Sequence, residues 1–198
     1  MEELQTIKNN MEKKDTYNDL MDKYSRAYEQ EFYYECLFIL YGVIEDRLRA
    51  ILYHSGIIKE RTSKYLDNKE SKEYLSSINA KYNDKPNPNF FQIQDKLDML
   101  SAIIKWEQED NRYMSSEYLD HLHIQYEEID KKEVLSLIDD ITEWKSYRND
   151  LIHKVFENNI ESVNSVLKEL IDNGDKIRKR LYSLAYKVGK HSYVKKDI

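Results

Sequence analysis

The chain has 198 residues, of which 40% are hydrophobic and 34% charged, a balance that suits a soluble helical protein with a modest core. Four glycines and two prolines over this length predict long helices with few turns, arranged as a single helical domain over 1–198. The single cysteine excludes an intramolecular disulfide framework, and the longest apolar run, 36–44, is too short to span a bilayer. The net charge of −6 does not favour a nucleic-acid partner.

The N-terminal segment, 1–31, is predicted to be a charged helical extension. Its apolar positions over 2–27 form a thin face, which suits either an extension that packs on a partner or a loosely docked helix. The sequence starts without a basic region followed by an apolar run, so we expect no signal peptide, no membrane attachment and a cytoplasmic location.

The segment 32–56 contains the most apolar helix of the chain, predicted over 32–53. It is nearly apolar all round at its start, which indicates a central position in the core. Cys36 within it is expected to be a buried, inert thiol. Gly42 weakens the helix and is expected to mark close helix packing, whereas Gly56 is expected to end it.

The segment 57–90 is predicted to be a polar insert, with one or two short helices over 61–82 and a loop over 83–89 that contains both prolines. Helices are predicted to follow over 91–106 and 112–127. His121 and His123 lie about 200° apart on a helix and do not share a metal ion there. No cysteine pair, zinc motif or phosphate-binding loop occurs, so we predict no metal site and no cofactor.

Two long helices complete the predicted core, which covers 91–188 together with 32–56. The first, over 130–156, begins at Asp130 as N-cap, with Glu133 placed to complete a capping box. The last helix, over 160–188, is predicted to be interrupted at Asn173 and Gly174 and to end at Gly189.

The C-terminal region carries eight Lys or Arg and no Asp or Glu over 176–196. Two interpretations stay open. In one, these cations guide an RNA backbone, beginning with Lys176, Arg178, Lys179 and Arg180. In the other, they complement the dipole of a helix C-terminus that precedes a frayed basic tail, 189–198. The 17 tyrosines are similarly ambiguous, since they suit either the edge of a core or the stacking of bases.

The run RNDLIH at 148–153 is the one stretch that suggests chemistry. Five positions along a helix turn through about 140°, so Arg148 and His153 do not share a face, whereas Asn149 and His153 do. Either the helix frays near Asn149 and Asp150, or a second copy of the helix completes the site, which predicts a two-fold dimer.

An arginine followed directly by asparagine, with histidine five positions after the arginine, resembles the signature of the HEPN domains. The run 41–48 resembles the helix that precedes this motif in the family, with Glu45 as the acidic residue that faces the catalytic pair. The resemblance covers 32–56 and 91–188, and it implies an all-α antiparallel bundle that forms a homodimer. Val155 stands where many toxin members carry an aromatic residue, which disfavours the branch that pairs with a nucleotidyltransferase-like antitoxin.

The resemblance also implies a metal-independent endoribonuclease of phage defence, toxin–antitoxin systems or the stress response, with RNA or a nucleotide as ligand and a cognate antitoxin or defence protein as partner. His153 then acts as general acid or base, and Arg148 stabilises the charge on the phosphate. Asn149 orients the phosphate or holds the ring of His153. Asp150 and Glu45 fix Arg148 or tune the histidine.

Two other interpretations compete with the enzyme. The chain is alternatively a non-catalytic module that binds RNA, a nucleotide or a protein through its tyrosines and its basic stretch, in which case salt weakens RNA binding. In the remaining interpretation, the chain is a purely structural helical dimer, and the likeness of 148–153 to the HEPN signature is a coincidence.

Overall fold

The computed structural model describes residues 7, 9–59, 69–84, 90–109 and 116–194. The described residues are all-helical and contain no β-strand, which confirms the predicted all-α class. Their helices are α1 (Asn10–Glu29), α2 (Tyr33–His54), α3 (Lys69–Asn83), α4 (Ile93–Gln108), α5 (Glu117–Tyr126), α6 (Lys131–Lys154) and α7 (Ile160–Lys190). A single 3-10 turn, Val155–Glu157, joins α6 to the segment before α7. None of these helices is both long and apolar enough to cross a bilayer.

Helix α2 is the centre of the core, as its apolar pattern predicts. It packs most extensively on α7 and also contacts α1 and α4. Cys36, Leu40 and Ile44 are fully buried along it. Burial raises the pKa of the Cys36 thiol to about 11, so the thiol stays protonated and unreactive, as expected. Gly56 follows the helix with a φ of +71°, a left-handed conformation that glycine adopts without strain.

Helix α7 is continuous from Ile160 to Lys190, so the predicted interruption at Asn173 and Gly174 is wrong. Gly174 instead allows the side chains of Trp144 and Leu40 to approach the backbone of α7 closely. A Cβ at this position would stand 3.0 Å from Trp144 Nε1 and 3.1 Å from Leu40 Cδ1. The same indole Nε1 donates a 2.8 Å hydrogen bond to the carbonyl oxygen of Leu170. The glycine therefore fits the packing of α2, α6 and α7 rather than a break in the helix.

Gly42 does not have the packing role predicted for it within the chain. It is exposed on α2, and a Cβ there would meet nothing within 4 Å. Close helix packing thus occurs at the glycine that the sequence assigned to a kink. The helix predicted to end at Gly189 continues one residue further, to Lys190.

Helix α1 docks on α2 with Ala27 buried and with Tyr24 and Tyr28 half-buried against the core. Lys13 forms a 3.0 Å ion pair with Asp46. The guanidinium carbon of Arg47 lies 4.5 Å from the centre of the Tyr17 ring. The thin apolar face is therefore half-buried within the chain, and Met11 at its start stays exposed.

The predicted start of α6 lies within the described residues, whereas the 57–90 insert is described only in part. Asp130 caps α6 by accepting from the backbone N–H groups of Lys132 and Glu133, as predicted. The side chain of Glu133 binds Arg180 of α7. In the 57–90 insert, α3 accounts for part of the predicted helix. The stretches 60–68 and 85–89, with both prolines, lie outside the described residues, as do 110–115 and the end of the basic tail, 195–198.

Candidate active site on helix α6

The motif at 148–153 lies within α6, which stays α-helical to Lys154. The predicted alternative that the helix frays near Asn149 and Asp150 is therefore wrong. Arg148 is half-buried toward α2, whereas His153 is exposed on the other side of the helix. A single chain thus separates the two groups that the resemblance pairs, as helix geometry requires.

Arg148 is oriented by two neighbours. Its guanidinium carbon lies 4.1 Å from the centre of the Tyr41 ring on α2. Its Nη1 donates a 3.0 Å hydrogen bond to Asn149 Oδ1. Its Nε is enclosed and has no acceptor, and no carboxylate pairs with this guanidinium among the described residues. Asn149 therefore holds Arg148 within the chain, rather than the ring of His153.

His153 and Asp150 project from α6 into solvent. In the described part of the chain neither side chain makes a hydrogen bond or ion pair, so Asp150 does not fix Arg148 here. The imidazole of His153 is consequently open to a ligand or to a second chain.

Glu45 serves the core rather than Arg148, which corrects the role implied by the resemblance. Its Oε1 lies 3.2 Å from Lys96 Nζ and 3.2 Å from Arg49 Nη2. The Lys96 side chain is fully buried, and burial lowers the pKa of its amine although Glu45 opposes that shift. A charged amine without access to water needs a carboxylate partner, and Glu45 supplies it.

Tyr41 is the residue at this site that the sequence analysis missed. It stands one helical turn before Glu45 on α2, in the position from which its ring meets Arg148. The only available signal was its place within the run 41–48. With 17 tyrosines in the chain, that position alone did not distinguish it.

The basic stretch on α7 is largely neutralised by neighbouring acids. Arg178 and Lys179 both bind Asp175 at 2.7 Å, and Arg178 also donates to the Tyr17 hydroxyl. Arg180 pairs with two carboxylates of α6, those of Glu133 and Asp140.

Lys176 is exposed and donates to Asn173. Arg180 therefore links α7 to α6 and Arg178 links it to α1, whereas Lys179 pairs only within α7. A role of these four basic residues in RNA binding stays a prediction.

An aromatic face runs along α2 toward Arg148, formed by Tyr34, Phe38 and Tyr41 at helical spacing. Tyr34 is 44% exposed and Phe38 is 77% exposed. An exposed row of large aromatic rings is unusual for a monomer and typical of a surface that another molecule covers. This face ends at the ring that stacks on Arg148.

A groove of about 580 Å³ separates α6 from α7. Its floor is apolar, with Trp144, Leu170 and Ile177, and exposed Tyr147 stands at its edge. Three acids and two cations complete its lining: Asp140, Glu143, Glu169, Lys176 and Arg180. The excess of acid disfavours a polyanion in this groove.

Within the described ranges, no three His, Cys, Asp or Glu side chains come together as metal ligands. His121 binds the carbonyl oxygen of His191 at 2.8 Å, and His123 binds Glu107 at 2.8 Å. No protein-family model, curated protein or solved structure matches the chain.

Proposed function

We propose that this chain is a metal-independent endoribonuclease of the HEPN type, and that it acts as a homodimer in which two copies of Arg148 and His153 line one cleft. One observation carries the proposal. Helix α6 is unbroken, holds Arg148 in a defined orientation without a carboxylate partner among the described residues, and exposes an unengaged His153 one and a half turns later.

Arg148 and Arg47 each lie over an aromatic ring and have no carboxylate partner among the described residues. Arg49, Arg178 and Arg180 each pair with at least one carboxylate. Arg148 instead has an aromatic ring beneath it and an amide at one of its nitrogens. The charge of this guanidinium is not neutralised by a carboxylate of the described residues, so it is available to an external anion. The planar donors of a guanidinium match the oxygens of a phosphate.

The cleavage reaction uses chemistry that these residues supply. The 2′-oxygen of RNA attacks the adjacent phosphorus as one His153 accepts the 2′-hydroxyl proton. The bond to the 5′-oxygen breaks, and this oxygen takes a proton from the second His153. The products are a 2′,3′-cyclic phosphate and a free 5′-hydroxyl. Arg148 stabilises the negative charge that builds on the phosphate oxygens in between.

The dimer is supported by the aromatic face of α2. A second copy covering Tyr34 and Phe38 would place the interface beside Tyr41 and hence beside Arg148. In a two-fold dimer the same patch meets itself, so both motifs approach the same cleft. The settings of phage defence, toxin–antitoxin pairing or stress response belong to this proposal and rest on the resemblance alone.

The test of the proposed function is cleavage of a mixed-sequence single-stranded RNA by the full chain in EDTA. We expect products with 2′,3′-cyclic phosphate ends and no cleavage of a DNA strand of the same sequence, because DNA lacks the nucleophile. Cleavage that needs a divalent cation, or that also cuts DNA, contradicts this chemistry. A dimer that binds RNA without cutting it favours the non-catalytic interpretation.

The dimer face has a test of its own in Phe38→Glu. We expect this variant to elute as a monomer and to lose RNA cleavage, because a charge then replaces the most exposed ring of the aromatic face. The monomer is expected to keep its helical fold, since Phe38 is 77% exposed within the chain, and to lose only the stability that dimerisation supplied. Size-exclusion chromatography with light scattering measures the effect.

The matched control is Tyr186→Glu, which changes a 62% exposed ring on α7 and should leave the dimer intact. A Phe38→Glu protein that remains dimeric shows that the interface lies elsewhere.

A further inference from the structure

We propose that Tyr41 is a positioning residue, which holds the guanidinium of Arg148 in the orientation in which its N–H donors bind phosphate. This role rests on the proposed ribonuclease function. The distance of 4.1 Å between Arg148 Cζ and the centre of the Tyr41 ring is the shortest such contact between a cation and an aromatic ring in the described residues.

The contact with the Tyr41 ring leaves N–H donors of the guanidinium available to bind an anion. The guanidinium carbon lies over the ring at 4.1 Å from its centre, a contact that takes up none of the acceptors that the N–H donors could use. The N–H donors lie in the plane, and Asn149 takes one of them. A phosphate approaches in this plane through paired N–H···O bonds. The ring and the amide together thus set the direction from which an anion meets Arg148.

The ring rather than the hydroxyl carries this role. Tyr41 is half-buried on α2, the central helix of the core. Its hydroxyl makes no hydrogen bond within the described part of the chain. Helices α2 and α6 share α4 and α7 as neighbours but have few contacts with each other. The contact between Tyr41 and Arg148 joins α2 to α6 directly. It therefore connects the motif to the central helix of the core.

Rates of RNA cleavage by Tyr41→Leu and Tyr41→Phe test the proposal. We expect Tyr41→Leu to lower kcat about tenfold with little change in KM, because an arginine without its ring stabilises the transition state less well. Tyr41→Phe keeps the ring and is expected to retain most of the activity. In an Arg148→Lys background, Tyr41→Leu should add no further loss. The control Tyr186→Leu removes the ring near Lys190, which is remote in sequence from the motif, and should have no effect.

A second measurement does not depend on cleavage. In protein labelled with 15N-arginine, the Nε–H resonance of Arg148, assigned by its loss in Arg148→Lys, should carry a ring-current shift in the wild type and in Tyr41→Phe but not in Tyr41→Leu. Titration with inorganic phosphate should perturb this resonance, and Tyr41→Leu should need about tenfold more phosphate.

The outcomes separate the two proposals. A wild type that responds to phosphate but does not cut RNA overturns the ribonuclease and leaves the role of Tyr41 standing. An Arg148 resonance that ignores phosphate, or that responds equally in Tyr41→Leu, overturns the positioning role. Equal losses in Tyr41→Phe and Tyr41→Leu assign the effect to the hydroxyl and also overturn it.

Discussion

Replacing His153 with alanine is expected to abolish RNA cleavage and to leave folding intact. Histidine is the residue type of the motif that most often acts as general acid or base, and a positioned general acid or base contributes about 10²- to 10⁴-fold to rate. A dimer loses both copies at once, so we expect kcat/KM to fall by about 10³-fold or more. His153 is exposed at the end of α6, and its removal should leave the thermal midpoint nearly unchanged.

The matched control is His123→Ala, which removes a histidine that is 57% exposed on α5 and that lies against two acids outside the motif, Glu107 and Glu127. It should cleave RNA at the wild-type rate. Equal cleavage by wild type and His153→Ala would show that the activity comes from another site or from a contaminant, and the interpretation of 148–153 would be wrong.

Mixing subunits tests whether the two histidines share one site. When wild-type and His153→Ala chains are combined in equal amounts and reassembled, about a quarter of the dimers contain two intact histidines. If one histidine acts as base and the other as acid, only that quarter is active. An activity near one half would show that each subunit works alone, against the shared cleft.

Replacing Glu45 with alanine is expected to destabilise the chain by about 2–3 kcal/mol, because it leaves a fully buried lysine without its carboxylate. The carbonyl oxygens of Phe91 and Gln92 remain within 3.4 Å of Lys96 Nζ, and Glu45 is itself partly exposed, so the expected loss lies below that for a completely dry ion pair. Urea unfolding measures the difference in the free energy of unfolding. The control Glu169→Ala changes an exposed acid on α7 and should shift the free energy by less than about 0.5 kcal/mol.

A companion substitution and the pH dependence make the Glu45 prediction specific. Adding Lys96→Met to Glu45→Ala should recover most of the loss, because no charge is then buried. Burial lowers the pKa of Lys96, and loss of Glu45 lowers it further. Between that lowered pKa and the ordinary lysine value of about 10.4, the unfolded chain binds more protons than the folded one, so stability rises with pH.

The deficit of Glu45→Ala should therefore be largest at neutral pH and shrink toward pH values of about 10. A deficit that does not change with pH would assign the effect to packing, and equal stability of variant and wild type would show that the ion pair is dispensable.

Local sequence patterns determined where the helices of this protein lie. The apolar periodicity placed α2, α4 and α6 within one to two residues of their observed bounds. Asp130 capped α6 and Gly56 followed α2 as predicted. These features involve residues within about one helical turn of each other, so the chain itself carries the necessary information.

Helix geometry also predicted from the sequence that Arg148 and His153 of one chain point in different directions. A separation of five positions on a helix places Arg148 and His153 on different sides, and α6 confirms this by running unbroken past both. The need for a second copy, if the two groups act together, was therefore visible in the sequence.

Tertiary structure alone decided which groups pair. Glu45 meets Lys96 across 51 positions, Arg180 meets Glu133 across 47, and Gly174 accepts the ring of Trp144 from another helix. From the sequence, Glu45, Arg180 and Gly174 were predicted to act in catalysis, in RNA binding and at a kink. Partners so distant in the chain depend on how the helices pack, which helix-forming patterns do not specify. Tyr41 was missed for the same reason, since its importance comes from the arginine that α6 places above it.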